Sequence, residues 1–343
     1  MKNMMRAVTY SFTLMLLLTF GAAESALGAN GVTVVTWNVR GTNYGASCGS
    51  KRSLTAVKTE LQRLRNNYRA FGISLDVFAF QEIYRDQALD LASVLDIPAS
   101  RVAFVQTRPS VRTGDSIGCN GQQFGTAIMS RLRMVGEPFN TVQSSCPASG
   151  PATESRACYQ LPENREVDFL KTSHQHNMLS GVSVILPTGQ KVRVYNAHLV
   201  GDNSVWDQTR PASTPANERI AWQQIQRVAA LINGNSPAIP YPSVLMGDFN
   251  VHPPTSRYWP AYTQYNYLAL PWYGFRDLWA EWSQGRTGLA NPHGFTVAVN
   301  DPQKSKRVDY IVTRDRRIQV VTADVPNTGT ASDHRPMVAL LTF

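Results

Sequence analysis

The sequence predicts an α/β protein in which two mixed β-sheets pack face to face and are covered by helices. Three observations lead there. Apolar, β-branched runs such as "VTVVTWNV" and "SVLMGDFN" have the length and composition of buried strands. Some of these runs are separated by amphipathic helices, whereas others follow one another as hairpins, and mixed sheets need both kinds of connection. No linker divides the chain beyond its first thirty residues, so the strands and helices share one domain.

Taken in order, residues 32–39 form the first strand. In "LTAVKTELQRLRNNY", residues 54–68, Leu54, Val57, Leu61, Leu64 and Tyr68 recur at helical spacing. "LDVFAFQE" is a second buried strand ending at Gln81 and Glu82, followed by a helix over "ALDLASVL" and a strand over "QFGTAIMS". Residues 136–180 begin rich in Ser, Pro and Gly and read as a long excursion pinned by a disulfide. "GVSVIL" and "KVRVYNAHL" flank the turn Pro187-Thr188-Gly189-Gln190 as a hairpin. A helix over residues 218–232 precedes the strand "SVLMGDFN", and the strands "RVDYIVT" and "MVALLTF" close the chain. Between them, residues 258–282 hold ten aromatics, including four of the seven Trp. Core packing around a helix is the preferred reading of that segment, ahead of base stacking or contact with lipid.

Composition sets the setting. Hydrophobic residues make up 43% and charged residues 17% of 343, as in a globular protein. Lys2 and Arg6 precede "SFTLMLLLTF", and small residues follow in "GAAESALGAN". That pattern predicts a signal peptide over residues 1–28, a single domain over 29–343, and a secreted or periplasmic location. An uncleaved anchor is the alternative, for which the apolar stretch is short. The net charge of +9 falls to +8 without Lys2, Arg6 and Glu24, which suits polyanions such as nucleic acid or anionic lipid headgroups. The four cysteines fit disulfides in an exported chain, with Cys146–Cys158 and Cys48–Cys119 the favoured pairing among three.

The chemistry lies at the strand ends. Asn38, Glu82, His198, Asp248 with Asn250, Asp309, and Ser332-Asp333-His334 each stand at or beside an apolar run. Strand ends do not require such groups. Side by side, these residues would supply oxygen ligands for a hard cation, two imidazoles, and amides able to hold a phosphate. A divalent ion neutralises charge growing at phosphorus, imidazole serves as acid or base near neutrality, and an Asp can fix its tautomer.

At these residues the sequence resembles a known group. "TWNVRG", "FQE", "NAHL", "MGDFN", "VDYI" and "SDHRP" occur in the order found in the endonuclease/exonuclease/phosphatase superfamily, which includes deoxyribonucleases and neutral sphingomyelinases. The resemblance implies a four-layer αββα sandwich and a metal-dependent phosphodiesterase. It implies that Glu82 binds the metal, with Asn38 beside it and Asp333 assisting. Asp248 and Asn250 would position water and the scissile phosphate, His198 and His334 would flank that phosphate, and Asp309 would orient a histidine. Arg40 and Asn196 would contact substrate phosphate. Mg2+ is the implied cofactor, with Mn2+ or Ca2+ as alternatives. DNA is the implied substrate, a phospholipid headgroup or a binding subunit with a decayed site being the competing readings, and a monomer is expected. "GTAIMSR", "MGDFNVHP" and "ASDHRPMVAL" also resemble the catalytic subunit of cytolethal distending toxins. The chain departs from the nucleases in "KTSHQHNMLSG", where they carry an arginine that Lys171, His174 or His176 would have to replace.

Overall fold

The structure, a computed structural model, describes residues 31–39, 54–107, 124–135, 140–142, 146, 158–162, 177–199, 215–232, 241–253, 261–287, 289, 291, 293–297, 306–329 and 331–343. The segment 1–28, Arg40, Lys171, His174, His176 and the Cys48–Cys119 pairing lie outside these residues. Strands β1 (Gly31–Asn38), β2 (Val77–Tyr84), β3 (Val102–Gln106), β4 (Phe124–Ser130), β6 (Asn140–Val142), β13 (Gln319–Asp324) and β14 (Met337–Thr342) form one seven-stranded sheet, in the order β13-β14-β1-β2-β4-β3-β6. The second sheet runs β11 (Arg276–Asp277), β12 (Asp309–Thr313), β10 (Ser243–Asp248), β9 (Lys191–His198), β8 (Met178–Ile185), β5 (Arg133–Val135), with β7 (Cys158–Gln160) also paired to β8. Both sheets are mixed: β1 and β2 are parallel, as are β9 and β10, whereas β10 and β12 are antiparallel.

Period-two alternation assigns the faces. Val32, Val34, Val77, Ala79, Val192, Val194, Val244, Met246 and Ile311 meet in the seam between the sheets. Their neighbours Val35, Trp37, Phe78 and Phe80 turn outward under α1 (Leu54–Arg69) and α2 (Arg85–Val94). On the other side Tyr195, Leu245, Tyr310 and Val312 pack under α3 (Pro215–Ile232) and α4 (Ala261–Trp272). The result is the expected helix–sheet–sheet–helix sandwich. In α1 the buried residues are Val57, Leu61, Leu64 and Tyr68, four of the five positions that the spacing predicts, with Leu54 half-buried beside them.

Several elements differ from the sequence reading. The excursion at 136–180 contributes β6 and β7, and Cys146 and Cys158 are joined by the expected disulfide, with Cα atoms 5.3 Å apart. Strands β3, β5, β11 and β13 are additional to those read from the sequence. In the aromatic segment, Leu270, Phe275 and Trp279 are buried, as a core assignment requires, while Trp272 at the end of α4 is 75% exposed.

Candidate active site

Four strands that meet the seam change from apolar to polar toward one edge. β1 runs Val32, Val34, Thr36, Asn38; β2 runs Val77, Ala79, Gln81; β9 runs Val192, Val194, Asn196, His198; β10 runs Val244, Met246, Asp248. Asp248 registers with His198 on one side and with Asp309 on the other. Parallel and antiparallel pairing thus bring these chemically active side chains to one edge of the second sheet. The first sheet supplies Asn38 and Glu82 from the facing edge, and the loop before β14 supplies His334.

The backbone needed for this placement is uncommon. Gly247 has φ +148°, and a Cβ there would lie 1.8 Å from the carbonyl oxygen of Ala197, so only glycine lets β10 approach β9 one residue before Asp248. Asn250, at φ 53°, donates its backbone N–H to Asp248 Oδ1 at 2.9 Å and its side-chain amide to the carbonyl of Leu199 at 3.1 Å. Asn tolerates this left-handed conformation better than most residues and here closes a small turn onto the aspartate. Glu82 also has a positive φ, 51°, at a β-bulge where β2 slips relative to β4.

The side chains converge. Asn38 Nδ2 donates to Glu82 Oε1 at 3.1 Å and to Asp248 Oδ2 at 2.9 Å. His198 Nε2 lies 3.6 Å from Asp248 Oδ2 and 3.9 Å from Glu82 Oε1. His334 Nε2 lies 3.9 Å from the same Asp248 oxygen, and its Nδ1 is 2.8 Å from Asp309 Oδ2. Asp248 Oδ2 therefore stands between two imidazole Nε2 atoms. Burial works against a charge on His334, yet the Asp309 carboxylate, with Asp248 and Glu82 beyond it, raises its pKa above the usual imidazole value. Burial likewise raises Asp309, the His334 charge opposes that, and Asp248 adds to it. Both directions favour keeping a proton within the dyad.

A divalent ion suits this donor set. Glu82, Asp248 and Asp309 gather in one cluster, and among the described residues no Lys or Arg pairs with any of them. Asp248, Asp309 and His334 present ligand atoms within 4.8 Å of one another. Because Asp309 and His334 are bonded to each other and Asp248 stands between the two imidazoles, the Glu82 carboxylate, with Asn38 beside it, is the better cradle. Glu82 is also the most open of the group, its side chain 28% exposed against 2% for Asp248.

Other expectations change. Asn196 is no phosphate ligand: it is buried, and its Nδ2 donates to the carbonyls of Phe80 and Ala127, each at 3.0 Å, leaving no N–H for an anion. Asp333 accepts from Ser332 Oγ at 3.3 Å. Near the site, Arg307 pairs with Asp277 at 2.7 Å, and His252 Nδ1 faces the carbonyl of Pro253. Structure adds supporting residues with no sequence signal. Thr296 Oγ1 accepts from the backbone N–H groups of Val308 and Asp309, while its carbonyl accepts from Arg335, so it ties the Asp309 strand to the His334 loop. Trp37 Nε1 donates to the carbonyl of His334, and Asn177 Nδ2 to that of His198.

Sandwich and site together define a class, and the chain belongs to it: the model of the Endonuclease/Exonuclease/phosphatase family matches residues 35–334. Members are hydrolases of phosphoester bonds and generally depend on a divalent metal. Among solved structures, an endonuclease/exonuclease/phosphatase from Beutenbergia cavernae is 20% identical, with a TM-score of 0.56 over 91% of this chain and 72% of that one. The human Nocturnin catalytic domain with bound sulfate is 17% identical, TM-score 0.54, over 92% and 94%. A Bacteroides thetaiotaomicron mannosyl-6-phosphatase is 16% identical, TM-score 0.50, over 91% and 100%. At such identities the likeness is one of fold. No curated protein matches the chain by sequence.

Proposed function

We propose that this chain is an exported, Mg2+-dependent phosphodiesterase that cleaves DNA. One observation carries the reading: Asp248 Oδ2 lies 3.6 Å from His198 Nε2 and 3.9 Å from His334 Nε2, with Asp309 bonded behind His334. A water held by Asp248 would stand beside two imidazoles able to contact the phosphoryl oxygens. The Asp248 carboxylate accepts the hydrogen bond of the attacking water and takes its proton as the new P–O bond forms and the ester P–O bond breaks, the leaving oxygen departing with a proton from solvent as a free hydroxyl. His334, kept protonated by Asp309, donates to the phosphoryl oxygen on which charge accumulates, and His198 donates from the opposite side. Glu82 and Asn38 would hold Mg2+, which supplies charge neutralisation at the phosphate. Net charge +9 supports a polyanionic substrate.

A phospholipid reading gains little from the exposed aromatic residue. Trp272 lies four residues before Arg276, which pairs with Thr313, the end of β12 away from Asp309. Supercoiled plasmid incubated with the purified chain and Mg2+ is expected to be nicked. EDTA abolishes nicking, and His198→Ala lowers it by about 10²–10⁴-fold. An intact plasmid beside release of phosphocholine from sphingomyelin vesicles would replace DNA with a lipid substrate. Nicking that survives both EDTA and His198→Ala would refute the assignment.

A further inference from the structure

One buried polar group next to the site has no part in the chemistry above. Asn196 is fully buried in the seam, two residues before His198, among apolar residues of both sheets. Its Nδ2 donates to the carbonyls of Phe80 and Ala127, and its Oδ1 accepts from Gln81 Nε2 at 2.8 Å. Gln81 Nε2 also donates to Thr36 Oγ1 at 3.1 Å. Thr36, Gln81 and Asn196 therefore form one layer across the seam, immediately behind Asn38, Glu82 and His198.

The two carbonyls that Asn196 holds belong to a specific place in the ladder. Phe80 pairs with Ala127, the register then shifts, and pairing resumes at Ile83 with Gly125. Gln81 and Glu82 thus share the space opposite Thr126, which is a β-bulge. A bulge interrupts a ladder and re-aims a side chain. The side chain re-aimed here is that of Glu82, whose φ of 51° is costly for a residue with a Cβ and needs support from its surroundings. That support comes from the facing sheet, through the amide of Asn196.

We infer that Asn196 is a positioning residue for Glu82. By capping the β2 bulge from the opposite sheet, it sets the aim of the Glu82 carboxylate and aligns Asn38 and Glu82 with His198 and Asp248. Apolar contacts elsewhere along the seam are non-directional and cannot fix that alignment, whereas three hydrogen bonds from one amide can. The inference rests on the phosphodiesterase reading for its effect on turnover, but its effect on metal affinity needs no substrate.

Calorimetry with Mn2+ as the probe tests it on the full chain, alongside melting temperature and plasmid nicking. Asn196→Leu removes the tie. The double variant Gln81→Leu/Asn196→Leu also removes the Gln81 amide that Asn196→Leu strands, which relieves part of the stability loss while the carbonyls of Phe80 and Ala127 stay uncapped. Leu341→Ala, in the same seam opposite Val32, lowers stability with the tie intact. The expected result is that both tie variants lose about 10–100-fold in Mn2+ affinity and slow in parallel. The double variant regains part of the melting temperature without regaining affinity, and Leu341→Ala melts earlier but binds normally. Wild-type affinity in Asn196→Leu, a double variant that regains both properties, or an equal loss in Leu341→Ala would overturn the inference. If the metal results hold while no phosphoester is cleaved by the wild-type chain, the substrate reading fails and the positioning role stands. A wild-type chain that binds no Mn2+ overturns both.

Discussion

The two ends of the inter-sheet seam are built from opposite materials. At the end where β1 begins, Val32 faces Leu341, and Val77, Val192 and Val244 fill the space between sheets. Each such side chain contributes about 1.5–3 kcal/mol by leaving water, whatever its orientation. At the other end Asn38, Glu82, His198, Asp248, Asp309 and His334 crowd together, and the burial of all but the half-buried Glu82 is costly unless partners are placed for them. The apolar end makes the sandwich stable, and the polar end depends on a particular alignment of its two sheets. Stability and alignment should therefore respond to different substitutions.

The largest separation is expected at the histidines. His334→Ala removes the imidazole bonded to Asp309, and nicking should fall by about 10²–10⁴-fold per folded molecule, well beyond the lowered melting temperature that the stranded Asp309 carboxyl causes. An equal fall in melting temperature and rate would blur the contrast between the ends. Leu341→Ala should show the converse. It leaves a cavity in a fully buried layer, costs about 2–5 kcal/mol in urea unfolding, and retains the turnover of the molecules that remain folded.

A smaller effect sharpens the comparison through pH. Asp76 lies at the stable end, where its Oδ2 accepts from the backbone N–H of Thr33 at 2.9 Å. Burial raises its pKa, against the hydrogen bonds from Thr33 and Ser74 and the charge of Arg131. A carboxyl raised in the folded state favours folding most while protonated, so its contribution is complete below the unfolded pKa near 3.9 and is lost as pH rises through the folded value. Asp76→Asn, which can still accept from Thr33, should therefore raise the melting temperature at pH 7 and leave it unchanged near about pH 3. A gain that is the same at both pH values would place the effect in packing instead of charge.

Much of this was legible in the sequence because strand alternation is a local signal. The run Val192, Val194, then His198 shows both the buried face and the change of chemistry at its end. Asp309 in "RVDYI" and His334 in "SDHRP" could be named from type and order, although their 2.8 Å contact spans 25 residues and joins β12 to the loop before β14. Asn196 shows where such reading stops. Its position next to His198 suggested a phosphate contact, but its partners, the carbonyls of Phe80 and Ala127, belong to the facing sheet and to a bulge that no residue pattern announces. Thr296 was invisible for the same reason, since its value lies in two backbone N–H groups brought to it by the fold.

The convergence of two half-sites, one from each sheet, is most directly tested by a crystal soaked with Mn2+ and inorganic phosphate. The account predicts an anomalous peak on the Glu82 carboxylate beside Asn38, and a phosphate contacted by both His198 and His334. Manganese bound elsewhere, or a phosphate reached by only one of the two imidazoles, would contradict it.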